Sequence, residues 1–345
     1  MRFRPDNGPE WIRGEGPDSD IVLSTRARLA RSLAAYPFPS RCSGEDLSMV
    51  VRDVRAACGG LSARFPGLST ITMDKLGVEQ KAMLLDARIV SYEQTDDRPG
   101  AAVVVEPNAI LSIMINEEDH VRIQVLRSGF VAEEAWELAD WVDDVLGESL
   151  EYGYSERYGF LTANVSNVGT GLRISAMMHL AGSALANRLA SQLRAAYDLG
   201  VSIRGMFGEG SRPVGDLYQV SNEVTLGLGE KDVVQRVASM AQYLLGQERN
   251  ARRELLSDQR SRLVESAGKA LAVLTGSMSI SPEKAITLMS PLRLAAALGL
   301  VANCPTSRLN RMLVGMRVGV ADGIRAGMER AEMLRTGLAD VEVVG

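Results

Sequence analysis

Three consecutive carboxylates stand in the segment Asn116-Glu117-Glu118-Asp119-His120-Val121-Arg122. Side by side they repel one another, and keeping all of them ionised is costly unless cations or a metal ion sit close. The run reads either as a solvated acidic turn, the usual fate of a charge run, or as a cation-binding site. A second candidate is Ser24-Thr25-Arg26-Ala27-Arg28. Residues two apart on a strand share a face, so Arg26 and Arg28 point the same way as paired guanidinium forks suited to phosphate, unless they only solvate a strand edge. Gly169-Thr170-Gly171, with Arg173 close behind, offers backbone amides to an anion if a helix starts there, or is an ordinary glycine turn. Arg204-Gly205-Met206-Phe207-Gly208-Glu209-Gly210-Ser211 carries an arginine and a glutamate on a loop with enough glycine to move, either a lid or a plain surface loop. No GxxxxGKS/T motif is present, which excludes a P-loop, and Gly-Thr-Gly lacks the third glycine and the strand-to-acid spacing of a dinucleotide fold.

These residues need elements to position them. Leu111 to Ile115 and Ile123 to Leu126 read as strands flanking an acidic turn at 116–120. From Val131 the apolar positions Ala135, Leu138, Val142, Val145 and Leu146 keep helical spacing, and Gly147 lies near the end. Phe160 to Ala163 reads as a strand, and from the Gly-Thr-Gly turn a long helix is expected to about Leu199, with Gly200 as its stop. Val201 to Arg204 is a further strand, followed by the Gly-rich loop 205–215 and an extended segment from Leu217 to Leu226. Beyond Asp232 the texture turns helical, over Val233 to Leu274, Pro282 to Val301 and Ser307 to Leu334. Ser281 before Pro282 supplies a cap and a first-turn proline. The expectation is an α+β catalytic domain over residues 1–250 and an all-helical C-terminal domain over 251–345.

A chain of 345 residues, 46% of them hydrophobic, is long enough for real cores. The longest uncharged apolar stretch, Leu294 to Ala302 interrupted only by glycine, is far short of the ~20 residues a membrane helix needs, so a soluble cytoplasmic protein is expected. Cys42, Cys58 and Cys304 are odd in number and widely spaced, which suggests neither a disulfide framework nor a zinc site and fits a reducing compartment. A net charge of -5 argues against a nucleic-acid surface. Of 38 basic residues only five are lysines, leaving 33 arginines, the side chain suited to bidentate phosphate or carboxylate recognition. A GC-rich genome is the favoured explanation for the bulk of them, so particular arginines need their own argument.

Taken together and in order, STRAR (24–28), NEEDHVR (116–122), SNVGTGLR (166–173) and RGMFGEGS (204–211), followed by YQVSNEVTLG (218–227), resemble the motif series of the guanidino kinases. These are the ATP:guanidino phosphotransferases, among them creatine, arginine and protein-arginine kinases. The resemblance spans about residues 20 to 230, roughly two thirds of the chain. It implies a largely antiparallel catalytic sheet flanked by helices. The sequence as read lacks the N-terminal helical domain of typical phosphagen kinases, and its helical C-terminal part is similar in placement to that of protein-arginine kinases. Phosphagen kinases also carry a histidine four residues after the arginine of GTGLR, where this chain has Met177, with His179 two further on. The resemblance is therefore drawn to the protein-arginine class.

What it implies about the site follows residue by residue. Arg26, Arg28, Arg122, Arg173 and Arg204 are assigned to the phosphates of ATP, Glu117 and Asp119 to a Mg²⁺ ion through its water shell, and Glu118 and Glu209 to a clamp on the substrate guanidinium, with Glu118 as base. Asn164, in Thr162-Ala163-Asn164-Val165-Ser166-Asn167, departs from a family segment like TACPTN; it replaces a thiolate by an amide whose oxygen is expected to accept a guanidinium hydrogen bond without charge assistance. Ala321-Asp322-Gly323-Ile324-Arg325-Ala326 resembles an RDxxRA element that binds phosphoarginine, with its first arginine replaced by Ala321 and Asp322 and Arg325 retained; Arg317 lies one helical turn earlier. The expected activity is phosphorylation of arginine side chains in proteins. The alternatives are a phosphagen-type kinase for a free guanidino compound, or a weakly active regulatory homologue that binds nucleotide or phosphoarginine. The implied partners are arginine-bearing proteins, a zinc-finger activator and a Clp-type protease, and the C-terminal helices are expected to govern substrate choice or self-association into a homodimer.

Overall fold

Val22–Arg31 (β1) alternates small apolar residues with arginine, Ala27 and Leu29 on one face and Arg26 and Arg28 on the other, and the chain builds its sheet outward from this strand. The computed structural model describes residues 8–96, 99–205, 213–316 and 323–344. In chain order β1 is followed by β2 (Ser69–Thr72), β3 (Ala102–Val105), β4 (Leu111–Ile115), β5 (Val121–Ser128), β6 (Tyr154–Ser155), β7 (Gly159–Phe160), β8 (Leu172–His179), β9 (Val201–Gly205), β10 (Leu217–Asn222), β11 (Val301–Ala302) and β12 (Glu342–Val343). Eight of these form one sheet in the order β2-β3-β4-β5-β1-β8-β10-β9, antiparallel at every pairing. The helices are α1 (Gly44–Ala57), α2 (Val78–Asp86), α3 (Ala132–Gly147), α4 (Ala181–Leu185), α5 (Leu189–Asp198), α6 (Glu230–Asp258), α7 (Arg260–Gly276), α8 (Pro282–Ala297), α9 (Thr306–Val314) and α10 (Ile324–Gly337).

The two faces of the sheet have different fates. Ala27, Leu29, Ile123, Val125, Ile174, Ala176 and Val220 join the main core with α1, α3 and α6. On the opposite face two smaller cores cover the ends. One places Met73, Leu84, Ile89 and Val90 over Val103, Val105 and Met114, and the other packs the C-terminal helices on Leu23, Met177, Ala181 and Leu217. The arginine-bearing middle lies between these two covers. Helix α6 runs unbroken through residue 250, its first half in the sheet core and Leu255 in the C-terminal one.

Several elements differ from the sequence expectations. The segment after Gly-Thr-Gly is strand β8 rather than the start of a long helix, and helix appears only later, as α4 and α5. The segment does alternate, with Leu172, Ile174, Ala176 and Met178 in the sheet core and Arg173, Ser175, Met177 and His179 on the other face, but the glycine turn before it imitates a helix start and the apolar residues after it continue into α4. The strand expected over Phe160 to Ala163 shrinks to β7, which pairs with β6 in a separate ribbon. The stretch Val233 to Leu274 divides into α6 and α7 at Gln259, and Ser307 to Leu334 into α9 and α10. Ser281 caps α8 as expected, accepting from Lys284 N–H.

Candidate active site

The acidic turn is held by its own side chains. Asn116 takes a left-handed backbone (φ 56°) and donates from Nδ2 to the carbonyls of Leu47 (3.0 Å) and Gly100 (2.9 Å), tying the turn to α1. His120 is fully buried and its Nδ1 accepts from Leu33 N–H at 3.0 Å, which fixes the tautomer with the proton on Nε2. Asp119 turns inward, where Oδ1 accepts from Ser32 Oγ–H (2.8 Å) and Ala163 N–H (2.6 Å); burial pushes its carboxyl up against the pull of these donors. The remaining two carboxylates share one cation. Arg122 donates from Nη1 to Glu117, which Ser91 also contacts, and from Nη2 to Glu118 Oε2 at 2.7 Å. The mutual repulsion noted in the sequence is thus relieved by turning one carboxylate away and placing a guanidinium between the other two.

Arg122 belongs to a larger group. The register sets Arg28 opposite Arg173 on β8, Arg26 opposite Ser175, and Ala30 opposite Arg122, and it places Gln219 on β10 between Met177 and Arg204. Directly opposed residues share a face. Arg26, Arg28, Arg122, Arg173 and Arg204 consequently line one cavity of about 1040 Å³, with Glu118 and Asn164 on its wall. A sixth guanidinium, Arg88, joins them from the turn after α2, stacked 4.6 Å from the ring of Trp11. The volume lies at the upper end of the ~300–1,000 Å³ usual for ligand pockets. Concentrating like charges has a visible cost. Burial, then the charges of Arg88, Arg173 and Arg122, lowers Arg26 to about 9, Arg28 is pushed well below its ordinary value by burial and by Arg26, and burial lowers Arg88 to about 10. Even so, guanidinium groups keep their proton at neutral pH, which makes the cavity suited to a polyanion that would offset the repulsion.

The loop that closes the wall is shaped from behind by a buried arginine. Arg31 pairs with Asp143 (2.7 Å), lies 3.5 Å over the ring of Phe160 and donates to the carbonyl of Thr170 at 2.9 Å. Gly171 (φ 65°) passes so close to β1 that a Cβ there would meet Ala30 O at 2.6 Å. The second glycine of Gly-Thr-Gly therefore serves backbone approach and not an amide cradle at a helix start, which corrects the expectation drawn from its spacing. A second correction concerns Asn164. Its Oδ1 accepts from both Ser166 N–H (3.0 Å) and Ser166 Oγ–H (2.8 Å), capping the short 3-10 turn Val165–Asn167, and its Nδ2 faces Glu118 Oε1 at 3.5 Å. The backbone N–H can only donate, so it fixes which end of the amide is oxygen, and Asn164 presents a donor to the cavity instead of the expected acceptor.

Comparison with known proteins decides what this arrangement is similar to. The sequence model described as "ATP:guanido phosphotransferase, C-terminal catalytic domain" matches residues 49–251. Over 309 residues the chain is 38% identical to the protein-arginine kinase of Pelotomaculum thermopropionicum, covering 89% of this chain and 87% of that one, and it is 35% identical over 343 residues to that of Halothermothrix orenii, covering 96% and 97%. The chain belongs to the ATP:guanido phosphotransferase family. Among solved structures, lombricine kinase superposes with a TM-score of 0.61 at 25% identity, over 70% of this chain and 71% of that one.

For a member of this family, the sequence placed five arginines and Glu118 on the motifs, and the structure brings those six residues to one cavity. It does not bring Glu117 or Asp119 to the lining, since both are buried behind it. Glu209, Asp322, Ala321 and Arg317 lie outside the described residues, while Arg325 sits on α10 with its side chain 93% exposed, paired with Glu329. Sequence reasoning missed Arg88, Trp11, Gln219 and Leu313. Trp11 stands in no motif, Gln219 lies in the quoted segment 218–227 but was given no role, Leu313 comes from the C-terminal helices, and no local pattern marks one arginine in a chain with 33.

Proposed function

We propose that the chain catalyses ATP-dependent phosphorylation of arginine side chains in proteins. The observation that carries the reading is the convergence of six guanidinium groups on one cavity with Glu118 on its wall, in a chain that aligns along most of its length with protein-arginine kinases. Phosphoryl transfer asks the protein mainly for positioning and charge neutralisation. Arg26, Arg28, Arg122, Arg173 and Arg204 hold phosphate oxygens, and Arg88, on Trp11, extends the same positive wall. Glu118 receives the substrate guanidinium and, with Glu209, aims one nitrogen in line with the γ-phosphorus. A guanidinium has a pKa above ~12, so Glu118 does not deprotonate it in the ground state; the proton passes to the carboxylate as the N–P bond forms and the P–O bond to ADP breaks.

Among the described residues no group of three acidic, histidine or cysteine side chains is arranged to hold a metal ion; the ion implied by the resemblance is Mg²⁺, which keeps waters and prefers phosphate oxygens. Asp119 Oδ2 is buried with no hydrogen-bond partner and is the spare acceptor of the acidic turn. Mg²⁺ bound with the nucleotide would supply neutralisation of phosphate charge; Glu117 and Asp119, to which the resemblance assigns its water shell, lie buried behind the lining, and Glu118 is the carboxylate of the turn that reaches the cavity.

Residues 1–250 hold the chemistry in this reading, with the C-terminal helices governing substrate choice or self-association. Among the described residues no helix is long and apolar enough to cross a membrane; the cytoplasm is the location expected from the sequence, and arginine-bearing proteins are the substrates implied by the resemblance. A zinc-finger activator and a Clp-type protease remain the partners implied by the resemblance.

The test incubates purified protein with labelled ATP, Mg²⁺ and either a casein-like protein or free arginine. Label is expected on protein, bound through an acid-labile N–P bond. Label on free arginine alone would overturn the protein substrate, and nucleotide binding without transfer to either would overturn the enzyme.

A further inference from the structure

We propose that Ser290, on α8, is a positioning residue for the transfer site: it holds the end of β8 and the start of β10, and through them the cavity rung formed by Met177, Gln219 and Arg204. What the rung does rests on the kinase reading above, while the geometry stands apart from it. The register pairs Gln219 with Met177 on one side and Arg204 on the other, and two residues further along the same face Leu217 is paired with His179. At this point the sheet passes from the open cavity to beneath the C-terminal helices. His179 and Ser290 are both buried there.

The hydrogen bonds at this junction run in one direction. Arg252 Nη2 lies 3.4 Å from His179 Nδ1, and because a guanidinium offers only protons, Nδ1 accepts and Nε2 carries the hydrogen. His179 Nε2–H then donates to Ser290 Oγ at 2.9 Å, and the Ser290 hydroxyl donates to Asp216 Oδ2 at 2.5 Å. Burial, with Arg252 and Arg293 close by, pushes the His179 ring well below its ordinary value, so it stays neutral and the order is kept. The far end is anchored as firmly. Arg252 Nε donates to Glu248 Oε1 (2.7 Å), and both Glu248 oxygens accept backbone N–H groups, from Gly182 and Ser183, at 2.8 Å each.

Asp216 is the first residue before β10, and its own carbonyl accepts Leu180 N–H at 2.9 Å, closing β8 against β10. It follows Gly215 (φ 62°), where a Cβ would meet Ile286 O at 2.5 Å; only glycine allows α8 this close. Helix α8 thus meets the paired ends of β8 and β10 by apolar packing on Ala181 and Leu217, by a backbone fit at Gly215 and by the Ser290 hydroxyl. Removing that hydroxyl leaves a histidine N–H and a carboxylate oxygen without their partner, and the strand ends two residues from the cavity rung are free to shift. Misplacement of about 1 Å away from the chemistry can cost up to roughly 100-fold in rate.

The experiment compares the full chain with Ser290→Ala and Ser290→Thr, measuring kcat, ATP affinity by calorimetry, and Tm. The expected result is a fall in kcat of about 10- to 100-fold for Ser290→Ala, a several-fold weaker ATP affinity, and recovery of most of both in Ser290→Thr, which keeps the hydroxyl. A folded Ser290→Ala protein with unchanged kcat and ATP affinity, whatever its Tm, overturns the proposal, as does a Ser290→Thr protein as impaired as the alanine variant. If Ser290→Ala does not fold, Ser290→Cys, which keeps the volume and gives up the strong donor, is judged by the same criteria. A parent that transfers nothing to protein arginine would overturn the kinase reading alone, because the ATP affinities of the variants still decide the role of Ser290.

Discussion

Glu118→Gln should tighten ATP binding while it abolishes transfer, and the opposite directions of the two effects make it a demanding test. Glu118 Oε2 accepts from Arg122 Nη2 at 2.7 Å, so the same guanidinium that is assigned to phosphate is held by the same carboxylate that is assigned to substrate. ATP must draw Arg122 away. A charge-assisted hydrogen bond contributes about 1.5–3 kcal/mol and a neutral one about 0.5–1.5, a difference near 1 kcal/mol. The Glu118 side chain is 33% exposed and Arg122 9% exposed, so solvent screening reduces this to roughly 0.5–1 kcal/mol. The expected gain in ATP affinity is about two- to fivefold. Loss of the base should lower the transfer rate by about 10²–10⁴. Calorimetric titration with a non-hydrolysable ATP analogue reads the first effect and labelled transfer to protein the second. Weaker nucleotide binding in the variant would refute the competition for Arg122, and a near-normal rate would refute the base.

Arg88→Leu should weaken ATP binding by about 10-fold, the effect of one charge-assisted contact, without lowering the Tm of the free protein, since it also removes a repelling cation beside Arg26; unchanged affinity in a titration would remove Arg88 from the phosphate wall. Asn164→Cys offers a thiolate to the guanidinium but gives up the cap on Ser166, a loss of about 0.5–2 kcal/mol, so we expect a lower Tm and at most a few-fold rise in rate; a large rise at unchanged Tm would show that the amide oxygen does not cap the turn. The chain's two histidines, His120 and His179, are both buried with their pKa lowered from 6.5, chiefly by burial. The unfolded chain therefore binds protons below pH 6.5 that the folded one does not, and stability present above that pH is lost as pH falls, with a limiting slope of about 1.4 kcal/mol per pH unit for each ring. Urea unfolding between pH 7.5 and 5.5 measures this, and equal stability at both ends would contradict the neutral burial of the rings.

Much of the site was legible because it is written locally. Arg26 and Arg28 are two apart on a strand, and Glu118 and Arg122 straddle a hairpin turn, so alternation and spacing alone bring each pair to one face. Arg173 was found for a reason that did not hold, since its motif was read at the mouth of a helix and lies on strand β8. The error has a local source: Leu172–His179 alternates core residues with Arg173, Ser175 and Met177 as a strand does, but the Gly-Thr-Gly turn before it imitates a helix start and the helical residues of α4 follow directly. Arg88 and Leu313 were out of reach for another reason. Their place in the cavity depends on how α2 and α9 pack over the sheet, which is set by contacts between segments distant in sequence. The direction of the Asn164 amide was equally hidden, being decided by the hydroxyl and backbone N–H of Ser166 two residues away.

A guanidinium, that of Arg122, already occupies the carboxylate assigned to the incoming arginine, and the Asn164 amide approaches its other oxygen. Five other guanidinium groups stand around the same cavity, and their repulsion makes a polyphosphate the natural competitor for Arg122. Once phosphate oxygens take that cation, Glu118 is left as an anion in a partly desolvated wall, the state that binds a second guanidinium best. In the proposed reaction nucleotide would therefore prepare the acceptor end of the site as well as the donor end, and the tighter ATP binding expected of Glu118→Gln measures the free energy of that exchange. Lysines would not serve as well: a point charge could neutralise phosphate, but only the planar fork of Arg122 can span Glu117 and Glu118 in the free protein and present the same two-pronged face to the nucleotide.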